Sequence, residues 1–289
     1  MAFFILCTMK SFEFQQKAIC IICFKPNEVW LDFLSQFKNY DIYIAADDNA
    51  ENYSEKYKIK YPSVHIIQIE NDECRNKGFI NVNAVLFAKN VTGWEKALLY
   101  FSNINKAYKH IWIFEDDVFF YDEMTIKNID VKFPDSDLLT APRQSSSGAS
   151  KNWWWWPRVK IEYEPPYYNA MVCGVRISKN LLLHVDKYAK TNNTLFFLEA
   201  LFPTIALKND LKCDMPKEMI QIFFSHKWYT YTLSKKNIFH PVKDIGFHKT
   251  ARESLKENSF LINITFHIAD FFTKLYMNTR QGIKTFLGK

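Results

Sequence analysis

The chain has 289 residues, enough for one large domain or two small ones. Hydrophobic residues make up 48% and charged residues 24%, a balance that excludes intrinsic disorder, while aromatic residues reach 17%. The net charge of +6 comes from scattered Lys and Arg, which argues against a nucleic-acid protein with its dense basic stripe and leaves acidic or phosphorylated substrates open.

In chain order, Ala2–Cys7 is apolar but short and no basic residue precedes it, so a signal peptide is not expected. Lys17–Phe24 is a continuous apolar run of the kind a strand buried on both faces requires. Its Cys20 and Cys23 lie three apart on that strand and face opposite ways, so they cannot share a metal. Pro26 closes the run, and Glu28–Phe37 has helical spacing. Asp41–Ala46 is a second strand ending in Asp47-Asp48, and Val64–Ile69 a third. Gly93–Ala107 reads as a helix, and His110–Phe114 as a fourth strand that runs directly into Glu115-Asp116-Asp117. Asp137–Ala141 and Ala170–Ile177 look like further strands. Gln144–Asn152 is loop-like and precedes four tryptophans, Trp153–Trp156. Phe196–Leu207 reads as a helix interrupted at Pro203, with Trp228–Leu233 and Ile238–His240 as short strands. Phe260–Lys289 mixes apolar and basic residues; such a segment either packs on its own domain, the favoured reading, or lies peripherally on a membrane.

Seven Gly and ten Pro are about half the average usage, which leaves little linker material and favours one unit. The longest run without formal charge, Asn258–Ala269, is about a dozen residues, and a membrane span needs about 20. Six Cys do not make a disulfide framework, so structural thiols in a reducing, cytoplasmic setting are expected. The sequons at Asn52, Asn90, Asn192 and Asn263 carry little weight without a secretory signal.

Strands alternating with helices over the first 120 residues argue for an open, mostly parallel, Rossmann-related α/β sheet, whose ligands bind beyond the carboxyl ends of the strands. Both acidic clusters fall there. Three acids in a row repel one another. Either a hard divalent cation bridging two phosphates offsets them, or one acid points inward and two are solvated.

The order of strand, helix, strand ending in Asp47-Asp48, a helix bearing Trp94 and Lys96, then an apolar strand into Glu115-Asp116-Asp117 resembles the GT-A fold of nucleotide-sugar glycosyltransferases, over about residues 17–250. In that family an aspartate-rich DxD motif follows a central strand; here Glu stands in its first place. The resemblance implies a UDP-sugar donor, a glycan or glycoconjugate acceptor and Mn²⁺ or Mg²⁺. It implies a metal role for Asp117 and Glu115, and donor contacts for Asp47, Asp48, Lys96, Glu115 and Asp116. It divides the chain into a donor half (about 17–140), an acceptor half (about 141–250) and a helical C-terminal segment (about 251–289). Family members often add a late histidine to the metal, which falls on His248, with His240 as competitor. Lys243, Lys249 and Arg252 are then near enough in sequence to face a diphosphate.

Inverting members place an acid at the start of an acceptor-side helix as general base. Glu199, the one acid in Phe196–Leu207, has the apolar neighbours that raise a carboxyl pKa toward that task. Stacking on sugar rings is one role for Trp153–Trp156; a packed corner is the other. A sugar nucleotidyltransferase is the rival enzyme, but Phe24-Lys25-Pro26-Asn27 lacks the Gly-rich loop that class uses. An inactive carbohydrate-binding protein is the rival from outside enzymes.

Overall fold

In the computed structural model, which describes residues 16–82, 89–105, 108–142, 144–145 and 163–257, the first apolar run forms a strand, β1 (Lys17–Cys23). It is followed by α1 (Glu28–Leu34), β2 (Asp41–Ala46), α2 (Tyr53–Tyr57), β3 (Val64–Ile67), α3 (Asn71–Asn76), β4 (Asn81–Val82) and β5 (Lys89–Asn90). Next come α4 (Gly93–Asn103), β6 (His110–Glu115), α5 (Glu123–Lys132), β7 (Leu138–Leu139), β8 (Gln144–Ser145), β9 (Tyr168–Asn169) and β10 (Gly174–Ser178). Helices Lys179–Asn192 and Leu198–Lys208 precede β11 (Cys213–Asp214), β12 (Gln221–Ile222), β13 (Phe239–His240) and the helix Ile245–Glu257.

The protein is α/β. Seven strands form one sheet in the order β11-β7-β10-β6-β1-β2-β3. All neighbours in it are parallel except at β10, which runs against both β6 and β7. Successive side chains of β1 go to opposite layers: Ala18, Cys20 and Ile22 meet α4 and the helices Lys179–Asn192 and Leu198–Lys208, whereas Ile19, Ile21 and Cys23 meet α1 and α5. Double burial explains why β1 and β6 read as unbroken apolar runs. The chain builds outward from β1 through β2 to β3, then returns to lay β6 on the other side of β1. That reversal makes the carboxyl ends of β1 and β6 the switch point, where open α/β sheets hold their ligand crevice.

Several expected elements move. The late strand begins at Gly174, with β9 as a separate short piece, and α4 stops at Asn103. Trp228–Leu233 is not a strand: a 3₁₀ turn occupies Thr230–Thr232, and β13 pairs with β12 instead. Nor does Pro203 interrupt its helix, which runs unbroken from Leu198 to Lys208. Proline leaves the carbonyl four residues back without its helical donor. Here that carbonyl belongs to Glu199, and the Ala170 amide takes it at 3.0 Å. Trp153–Trp156, Phe260–Lys289, Asn263 and Ala2–Cys7 lie outside the described residues. Among the described residues no helix is long and apolar enough to cross a membrane.

Candidate functional site

The β1–β2 ladder continues past the strand ends, with the Asp47 and Asp48 amides donating to the Cys23 and Phe24 carbonyls at 2.9 Å. This fixes the two acids at the rim of the crevice. They differ in availability. Asp48 accepts from the Tyr53 hydroxyl at 2.5 Å and lies 3.7 Å from Lys25, and the Tyr53 hydrogen bond holds its carboxyl below the ordinary range. Asp47 keeps a partly open carboxylate. Burial pushes its pKa up against the pull of Lys96. Lys96 itself does not reach the crevice: its side chain is enclosed, and Nζ donates to the Asp47 carbonyl at 2.5 Å and to Asn49 Oδ1 at 3.0 Å. Expected at the donor, it instead supports the Asp47 turn from beneath.

Helix α4 starts with a capping box, the Thr92 amide donating to Glu95 at 2.6 Å. Its first turn lies against the sheet because residue 93 has no side chain. A Cβ on Gly93 would meet Ile22 Cγ2 at 2.6 Å and the Ala45 carbonyl oxygen at 3.0 Å. The close approach brings Trp94 Nε1 within 2.9 Å of Glu115 Oε1. Gly93→Ala is therefore expected to cost about 1–3 kcal/mol through overpacking. Thermal unfolding checks this, and an unchanged melting temperature would contradict it.

Beyond β6, the Trp30 indole donates to the Asp116 carbonyl at 3.0 Å and the Val242 amide to the Asp117 carbonyl at 2.6 Å, so the acidic turn is tied to two other segments. Burial, then the charges of Asp117 and Glu115, push the Asp116 carboxyl up to about 6. This is an excess of negative charge that a cation would relieve.

The histidine at these acids is His240, not His248. His240 ends β13, and its Nε2 lies 3.2 Å from Asp117 Oδ1 and 3.8 Å from Glu115 Oε2. Its Nδ1–H donates to the Phe223 carbonyl at 2.6 Å, so Nε2 is the atom presented to the carboxylates. Burial opposes its protonation, but the Asp117 hydrogen bond and charge outweigh burial and hold its pKa above the ordinary value. His248 sits on the helix Ile245–Glu257, fully buried between Trp30 and Phe119, with Nε2 2.8 Å from the Val242 carbonyl. Desolvation, then the Arg252 charge, lower its pKa to about 4. The apolar side of that helix wins His248 for packing. Arg252 is likewise taken up, stacked on Phe33 at 3.5 Å and donating to the Phe120 carbonyl at 3.2 Å.

Glu199 lies in the first turn of Leu198–Lys208 and is half-buried. Burial raises its pKa to about 7; the Glu115 charge adds to the rise and His240 opposes it. Sensitivity to both places Glu199 in the electrostatic field of the β6 turn. Cys173, which the sequence reading passed over, belongs to the same neighbourhood. Its carbonyl accepts the Glu115 amide at 2.8 Å, and one ligand atom each from Glu115, Cys173 and His240 lie within 4.8 Å of one another. No local spacing signals it, because β10 reaches β6 only through the antiparallel pairing. A cavity of about 710 Å³ is lined by Pro241 and Val242, the two residues after His240, and by Trp228, Tyr229 and Tyr231.

No protein-family model and no curated protein matches this sequence. Among solved structures, the apo form of mouse xyloside xylosyltransferase 1 is similar, with 10% identity, coverage of 78% of this chain and 97% of that chain, and a TM-score of 0.40.

Proposed function

We propose that this chain is a metal-dependent glycosyltransferase that moves a hexose or pentose from a UDP-sugar to a hydroxyl of a glycan or glycoconjugate, with inversion at the anomeric carbon. The observation that carries the reading is one convergence. Glu115, Asp117 and His240 meet at the carboxyl end of β6, where the sheet reverses direction, and Glu199 with its raised pKa lies in their field.

The crowded acids and the inward-facing His240 Nε2 suit a divalent cation, and Glu115, Asp117 and His240 would hold Mn²⁺ or Mg²⁺. When bound, such an ion supplies positive charge against the diphosphate leaving group. Trp94 orients Glu115 through its indole N–H. Asp47, braced by Lys96, offers a carboxylate to the nucleoside, while Asp48 is already committed to Tyr53. Glu199 takes the proton of the attacking hydroxyl on a carboxylate oxygen. The Trp228–Tyr231 cavity supplies flat faces of the kind that stack on sugar rings.

Asp117→Ala is expected to weaken metal-dependent UDP binding by at least about 10–100-fold, the loss already typical when an outer-shell partner is removed. Calorimetry with and without Mn²⁺ measures this, with circular dichroism as the check on folding. UDP bound equally well in excess EDTA would overturn the reading.

A further inference from the structure

A cation held by carboxylates and an imidazole needs no sulfur, yet a thiol shares the cluster. Cys173 is buried, with 8% exposure, immediately before β10. Part of it packs against the apolar layer under α1 and α5. Its sulfur nevertheless lies in a group with a Glu115 carboxylate oxygen and a His240 ring nitrogen, all within 4.8 Å of one another. Bonds of about 2.0–2.3 Å from one tetrahedral ion set its N, O and S ligands about 3.3–3.6 Å apart, close to the 3.8 Å between His240 Nε2 and Glu115 Oε2, so side-chain shifts of little more than about 1 Å would close the shell.

The donors are also oriented from outside. His240 Nδ1–H is committed to the Phe223 carbonyl at 2.6 Å, which aims Nε2 inward. The Trp94 indole holds Glu115 Oε1 at 2.9 Å, leaving the second oxygen on the His240 side. The Glu115 amide binds the Cys173 carbonyl at 2.8 Å, which fixes the two backbones in register. Gly174 allows this approach, since a Cβ there would stand 3.0 Å from Phe114 Cδ1. Outer hydrogen bonds of this type set the tautomer and direction of metal ligands.

We propose that Cys173 is a sulfur ligand, so that the β6 site takes a borderline-soft divalent cation of the zinc class, through Cys173 Sγ, His240 Nε2 and Glu115, in preference to Mg²⁺. Thiolate and imidazole donors favour such ions, whereas Mg²⁺ selects oxygen alone. Binding forms a sulfur–metal bond as the thiol proton leaves to water, and no electron is transferred. Asp117 Oδ1, 3.2 Å from His240 Nε2, stays within reach of the same shell, so the thiol joins Glu115, Asp117 and His240 and narrows the choice of ion without displacing any of them. The inference rests on the cluster being a cation site and not on sugar transfer.

The test is a Co²⁺ titration of the metal-stripped full chain, followed by absorption spectroscopy. The expected result is a sulfur-to-cobalt charge-transfer band in the near ultraviolet, abolished by Zn²⁺ and unaffected by excess Mg²⁺. Cys173→Ser is expected to lose the band and to bind Co²⁺ at least about 10-fold more weakly. Wild-type protein that binds Co²⁺ without the band overturns the proposal, and this arm needs no variant to fold. A band that survives in folded Cys173→Ser also overturns it. Mn²⁺-dependent UDP binding with no sulfur band would sink the sulfur ligand and leave the transferase reading intact. A sulfur band without any nucleotide binding would do the reverse.

Discussion

Glu199→Gln is expected to lower kcat by on the order of 10²-fold or more while metal-dependent UDP binding persists. A sugar hydroxyl attacks slowly unless its proton leaves as the new bond forms, and a positioned carboxylate contributes about 10²–10⁴-fold to such a step. Glutamine keeps the size and the helix propensity of glutamate but cannot accept the proton. Burial, reinforced by the Glu115 charge, raises the Glu199 pKa from 4.5 to about 7. The wild-type rate should therefore climb with pH through about 7 as the base ionises, and the variant should lose that limb. Stability carries the opposite sign. A carboxyl whose pKa is higher folded than unfolded favours the native state at low pH, and that contribution fades as pH rises through the folded value. At neutral pH and above, Glu199→Gln is thus expected to melt no lower than wild type. An NMR time course settles the stereochemistry: retention of an α-anomer from an α-configured donor would exclude Glu199 as the base of a direct displacement.

Asp130→Ala is expected to destabilise the fold by about 3–5 kcal/mol, because it strands buried charge. Asp130 and Arg176 are both fully enclosed, and Arg176 Nη1 meets Asp130 Oδ1 at 2.7 Å. The Trp112 indole also donates to Oδ1 at 3.0 Å, while the Tyr40 hydroxyl donates to Oδ2 at 2.8 Å and Lys17 lies 3.1 Å away. Arg176 spans from β10 to the turn after α5, where it also meets the Ser136 carbonyl at 3.0 Å. The cluster therefore ties β1, β6, β10 and α5 together. Burial alone would raise the Asp130 carboxyl, but the Arg176 and Lys17 charges outweigh it and leave the pKa below the ordinary value. A depressed folded pKa means that the stability is present above the unfolded pKa and is lost as pH falls through the folded one. Urea unfolding at neutral pH measures the loss, and a change under about 1 kcal/mol would show that the pair is not held as a buried charge. Asp130→Asn keeps the side-chain volume and one acceptor oxygen for the Trp112 or Tyr40 donor, so its difference from wild type reports the loss of the charge more directly than Asp130→Ala does.

The parts of this protein that its sequence alone determined are those whose cause is local. β1 and β6 are unbroken apolar runs because both faces are buried, and the turn to acid after Phe114 marks the strand end without knowledge of any neighbour. Asp47-Asp48 and Glu115–Asp117 were placed at carboxyl ends by the same reasoning, and Glu199 stood out as one acid among apolar side chains. Tertiary structure decided which polar residues meet. His240 and His248 look equivalent as text, yet β13 carries the first to Asp117 while the aromatic layer over α1 claims the second. The family resemblance implies a donor contact for Lys96; only the fold shows its Nζ spent on the Asp47 carbonyl. Cys173 and the Arg176–Asp130 pair give no periodic signal at all, since their partners lie on strands and helices far away in the chain. Apolar burial repeats every two or nearly four residues and so is written along the sequence, whereas a charge finds its partner through the packing of whole elements.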